Sequence, residues 1–228
     1  MICVLLLMLL GCKDPSNEPF KEEVSKKGGE VMTMELILAA ERGETGRVLA
    51  LLESGVDINA TDAKGRTAIL AATHNNKPDT VKALIDAGAD LNLRDHRNDN
   101  PLLYAGAEGR LEIVKLMVEA GADTSITNRF GGTALIPAAD RGHVAIVEYL
   151  LQHSDVDIDH INDLGWTALL EAVILGDGGV KHTQIVKLLV SHGADVNLVD
   201  GDGVTPLQHA MRRDYQPMVA ILKQAGAK

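Results

Sequence analysis

One spacing governs this chain. Val48, Val81, Val114, Val147, Val186 and Val219 each open an apolar stretch, at intervals of 33, 33, 33, 39 and 33 residues. The stretches run into a shared echo: Gly55-Val56-Asp57, Gly88-Ala89-Asp90, Gly121-Ala122-Asp123 and Gly193-Ala194-Asp195, with Gly226-Ala227 after the last. A fixed period of this size points to stacked units, each burying its apolar face on its neighbours, rather than to a fold around one centre.

Each period carries its own punctuation. After the Gly-Ala-Asp comes a turn, as in Asp62-Ala63-Lys64-Gly65, Asn128-Arg129-Phe130-Gly131, Asn162-Asp163-Leu164-Gly165 and Asp200-Gly201-Asp202-Gly203. Asp or Asn in first place and Gly in fourth fit a type I turn. Thr67, Thr133, Thr167 and Thr205 follow, where a hydroxyl can cap a helix. Pro206 stands at a first helical position, and Pro101 does the same after Asn100. A short Ala-rich helix is expected next, then a second helix with apolar residues at helical spacing, such as Ile113, Val114, Leu116 and Met117. Gly88, Gly121 and Gly193 end the second helices as C-caps.

Turn, helix and helix at 33 residues, with Thr205-Pro206-Leu207 opening one unit, resemble the ankyrin repeat. The resemblance covers Met34 to Lys228 and implies an all-α solenoid of about six repeats with atypical ends. Gln208, Leu70, Leu103, Ile136 and Leu170 stand where the family has His, so the loop bonds that His makes are expected to be missing. Gly142-His143 keeps the family's Gly-His at the start of a second helix. The resemblance implies a non-catalytic module that binds a protein through its concave face. That face would be built from finger tips and the exposed side of the first helices. It would carry Arg97, Arg129, Phe130 and Trp166 at the tips and Tyr104, Arg141 and Glu171 on the helices. Trp, Tyr and Arg are the usual anchors of interfaces. Trp166, directly before Thr167, has two readings, interface anchor or packing between fingers.

Two units break the period. The fourth has one extra residue around Ser154 to Val156, and the fifth has about five at Gly176 to Lys181. Insertions of this kind map to loops on one face, often the binding face.

Signs of catalysis are missing: the sequence contains no Gly-x-Ser-x-Gly elbow, phosphate loop or His-Glu-x-x-His. No cofactor or metal is expected. A runner-up reading, an enzyme or a ligand- or metal-binding protein, places a site at His160, Glu171, Asp177 and His182 beside the fifth-unit insertion. A third makes the protein a structural or chaperone-like factor that stabilises a partner enzyme. The formal charge is −10, from 32 acidic and 22 basic residues, which argues against nucleic acid as a partner. The expected state is a monomer with an unknown protein partner.

The first residues read differently. Met1 to Leu10 are apolar but too short to span a bilayer, which takes about 20 residues. They suit the core of a signal peptide. Leu9-Leu10-Gly11-Cys12 resembles a bacterial lipoprotein cleavage box, which implies lipidation of Cys12 and a place in the cell envelope, on the periplasmic side of a membrane. No Lys or Arg precedes the run, a departure from the pattern. The expected division is signal peptide 1–11, flexible tether 12–31 and repeat domain 32–228.

Overall fold

The computed structural model describes residues 18–228, with side chains from residue 28. The proposed signal peptide and Cys12 lie outside the described residues. Twelve helices follow one another, and no strand occurs among the described residues. They pair as α1 (Glu18–Arg42) with α2 (Thr45–Glu53), α3 (Ala68–His74) with α4 (Pro78–Asp86), and α5 (Pro101–Ala107) with α6 (Leu111–Glu119). The other three pairs are α7 (Leu135–Asp140) with α8 (Val144–His153), α9 (Ala168–Ile174) with α10 (Val180–Ser191), and α11 (Pro206–Arg212) with α12 (Gln216–Gln224). Odd-numbered helices stack on odd and even on even, giving an inner and an outer row.

Inner helices of seven residues would not hold in isolation. Stacking makes them. Ala68, Ala71 and Ala72 of α3, and Ala138 and Ala139 of α7, are fully buried and let neighbouring rows approach closely. Gly106 in α5 lies so near α7's start that a Cβ there would sit 3.0 Å from the Ala134 carbonyl oxygen. The outer helices bury one pair at i, i+3 in every unit: Val48 and Leu51, Val81 and Leu84, Val114 and Met117, Val147 and Leu150, Val186 and Leu189, Val219 and Leu222. Each such side chain contributes about 2 kcal/mol of burial.

Between the units the chain closes five identical loops. Asp62, Asp95, Asn128, Asn162 and Asp200 each accept, through Oδ1, from the amides two and four residues on. The amide and carbonyl of the same residue close the ring. Fourth place in these loops is left-handed, with φ between 62° and 76°; glycine fills it four times and Asn98 once. A second set of bonds ties one finger base to the next. Asn59 Oδ1 accepts from the Asp90 amide, Asn92 from Asp123, Asp159 from Asp195 and Asn197 from Lys228. At the corresponding place Ser125 turns back onto its own Asp123, and Thr124 Oγ1 donates to Asp155 instead.

Three expectations need correction. Thr67, Thr167 and Thr205 cap their helices, as does Asn100, but Thr133 does not. Pro137 has no N–H to give to the Thr133 carbonyl, so the Ile136 amide takes that carbonyl and the hydroxyl is left unpaired. The loop bonds expected to be missing are present at another position. His143 Nε2 meets the Ala107 carbonyl at 3.1 Å, His182 Nε2 meets that of Asp140 at 2.7 Å, and Tyr215 donates to Gly176 at 3.0 Å. Gln208 instead completes a capping box with Thr205. Finally, the chain is helical from Glu18, where composition reads as a tether up to residue 31. Its Glu and Lys are good helix formers, and they extend α1 beyond the turns that pack at Leu36, Ile37, Ala39 and Ala40.

The five-residue insertion adds an N-terminal turn to α10, which has 12 residues against nine or ten in α2, α4, α6, α8 and α12. His182 on that turn keeps the register of His143.

Candidate functional site

A groove of about 270 Å³ crosses the concave side of repeats three to five. Three successive loops put their third residue, Arg97, Phe130 and Leu164, at its mouth. In third place of successive loops stand Lys64, Arg97, Phe130, Leu164 and Asp202, so the finger row changes from basic through apolar to acidic. Phe130 is 53% exposed and Leu164 55%. The Phe130 carbonyl accepts from the Asp163 amide at 3.0 Å, which fixes these two fingers side by side.

The inner helices supply the other wall. Their equivalent positions are Ala71, Tyr104, Pro137, Glu171 and His209. Pro137, compact and between two longer side chains, leaves the hollow that Tyr104 and Glu171 flank. Arg141, Glu108 and half-exposed Leu175 complete the rim.

Charges are unevenly matched along this groove. At the repeat-three end Asp99 has Arg97 at 3.8 Å and Arg129 at 3.9 Å, and Arg141 pairs with Glu108. Arg129 also lies over the Phe130 ring, 4.7 Å from its centroid. Burial raises the Asp99 carboxyl, helped by the charge of Asp95, and Arg97, Arg129 and Arg141 oppose the rise. At the other end Glu171 is 7% exposed, and its Oε1 accepts from Asn162 Nδ2 at 2.8 Å. Burial first, then the charge of Asp140, push its carboxyl up to about 7 against that hydrogen bond. Neither Asp140 nor Glu171 has a cationic partner within 4.0 Å among the described residues.

Six of the seven residues expected on the binding face, Arg97, Tyr104, Arg129, Phe130, Arg141 and Glu171, line this one groove. Trp166 does not. It is half-buried, in fifth place of its loop, where its amide and carbonyl close the ring on Asn162. Leu164 holds the register of Phe130, two places after Asn162 as Phe130 is after Asn128. His160, Glu171, Asp177 and His182 do not form a common site. His160 Nε2 sits 2.7 Å from the Gly131 carbonyl, and His182 bridges the Asp140 carbonyl and Asp177. No group of three or more metal-ligating side chains occurs among the described residues. Nor is any described helix long and apolar enough to cross a membrane.

The pattern for ankyrin repeats in three copies matches residues 36–128 and 113–200, and that for many copies matches 181–222. The chain belongs to the ankyrin repeat family. Among ankyrin repeat proteins of known sequence, YahD of Escherichia coli (strain K12) is 42% identical over 191 residues, covering 84% of this chain and 95% of its own. An ankyrin repeat domain from Acinetobacter baumannii AYE superposes with a TM-score of 0.83 at 48% identity, over 85% of this chain and 98% of that one. The ankyrin repeat domain of Bcl-3, a member of the IkappaB family, gives a TM-score of 0.76 at 25% identity, over 85% and 86%. Ankyrin repeats are typically non-catalytic modules of protein interaction, and in this chain the exposed apolar tips of such a module fall beside its groove.

Proposed function

We propose that this protein is a non-catalytic scaffold that holds a partner protein in the groove across repeats three to five. We also propose that lipid attached at Cys12 holds it in a bacterial cell envelope, so that the partner is an envelope protein. One observation carries the first part: Phe130 and Leu164, both more than half exposed, stand side by side at the mouth of the groove, on a finger row that tolerates Lys64 and Asp202 at the same place. A loop tip gains no core from an apolar residue, whereas an interface does. The envelope part rests on the apolar run before Leu9-Leu10-Gly11-Cys12.

The test is co-purification from envelope extracts with the full chain, wild type beside Phe130→Ala/Leu164→Ala. One stoichiometric protein retained by the wild type and lost by the double variant supports the scaffold. The same retention by both overturns the groove as its site.

A further inference from the structure

The groove's charge arrangement narrows the chemistry of what it can hold. Its repeat-three end is internally matched: Asp99 lies between Arg97 and Arg129, and Glu108 is paired with Arg141. Its repeat-five end is not. Asp140 and Glu171 belong to adjacent inner helices, repel one another, and share no cation among the described residues. Glu171 is more than nine-tenths buried and has one amide hydrogen bond, from Asn162. Unmatched negative charge at the wall of a hollow is unfavourable in the free protein and becomes favourable once an opposite charge enters. Next to it stand the exposed side chains of Leu164 and Leu175, 55% and 50% accessible.

We propose that the groove takes an extended segment of its partner in which a Lys or Arg lies beside an aliphatic residue, the cation reaching Asp140 and Glu171 and the aliphatic side chain packing on Phe130, Leu164 and Leu175. This rests on the reading of the groove as the protein-docking site and gives that site a sequence preference. The raised carboxyl of Glu171 fits the same account, because a bound cation supplies the charge whose lack keeps the proton on. Complementary charge of this kind governs which segment is accepted more than how tightly any segment binds.

The probe is a set of synthetic peptides with blocked ends, each presenting one pair, Leu-Lys, Leu-Arg, Leu-Gln or Leu-Glu, in a common Gly-Ser background. Binding to the full chain is measured by calorimetry. Leu-Lys and Leu-Arg should bind at least about tenfold tighter than Leu-Gln, the range of a charge-assisted hydrogen bond. Glu171→Gln with Asp140→Asn should remove that preference, and Leu164→Ala should weaken all four peptides together. A melting temperature no lower than wild type in the charge variant shows that the fold is intact. Equal binding of Leu-Lys and Leu-Gln, both weakened by Leu164→Ala, overturns the cation proposal while the docking site stands. Preference for Leu-Glu overturns it in favour of the arginine end. Peptides that do not bind, or that bind unaffected by Leu164→Ala, overturn the docking site as well.

Discussion

Asn162 Nδ2 donates to Glu171 Oε1 at 2.8 Å, and one repeat later His209 Nε2 meets Asp200 Oδ2 at 2.7 Å across the same two positions. In one repeat the loop residue gives the proton and the helix residue carries the acid; in the next the roles are exchanged. Asp serves at the loop position in repeats two, three and six, so Asn162→Asp keeps the ring of amide bonds. It also sets a second carboxylate against Glu171. At pH 8 this variant should lose about 2 kcal/mol of stability, and at pH 5, where Glu171 can donate a proton, it should unfold close to wild type. Chemical denaturation at the two pH values checks this.

Glu171 itself makes stability depend on pH. Its carboxyl titrates near 4.5 when unconstrained and about 7 in the fold. Between those values the folded protein binds the extra proton, so the contribution is full below 4.5 and is lost as pH rises to 7, by about 3 kcal/mol at most. Glu171→Gln keeps an acceptor for Asn162 and never ionises. The stability difference between variant and wild type should grow in the variant's favour from pH 5 to pH 8. A constant difference would contradict the raised carboxyl.

Among the apolar residues of the fingers, exposure separates two roles. Phe130→Ala or Leu164→Ala should weaken partner binding by about 2 kcal/mol and move the melting temperature little. Half-buried Trp166, truncated to Ala, should lower the melting temperature, with affinity unchanged while the protein is folded. A Trp166→Ala protein of wild-type stability and reduced affinity would reverse the assignment.

Gly131 takes φ of 72° in a loop that leans on Asp163 of the next finger. Gly131→Ala strains the backbone and crowds that side chain, so it should cost about 1–3 kcal/mol. Gly201→Ala, with nothing within 4 Å of the added Cβ, serves as the control and should be close to neutral. Thermal melts of the pair make the comparison.

For the anchor, Cys12→Ser should shift the protein from the membrane fraction to the soluble fraction, or leave its signal uncleaved, when fractions are blotted after expression in a bacterial host. A Cys12→Ser protein still processed and membrane-bound would refute lipidation there.

The repeat, its six units and its caps were legible because each is a local matter of spacing: a hydroxyl three residues before an amide, a glycine where φ turns positive. The failure of Thr133 to cap depends on Pro137, four residues on, outside the local spacing that marks a cap. Six groove residues could be placed because register along a solenoid is arithmetic. Of the two readings of Trp166, its half-burial in fifth place of the loop favours packing between fingers. What spacing did not convey was the matching of charges. That Asp99 and Glu108 have arginines while Asp140 and Glu171 have none among the described residues depends on which side chains three different repeats bring together.

The bonds between finger bases form a ladder interrupted once, where Ser125 folds back and Thr124 holds Asp155. In a one-dimensional array, each joint helps set how far melting spreads from one unit to the next. The interruption lies between repeats three and four, and the groove lies across it. An occupant of the groove would span that joint as a splint, adding to the coupling that the Thr124–Asp155 bond already supplies, and a sharper unfolding transition of the array is the expected sign.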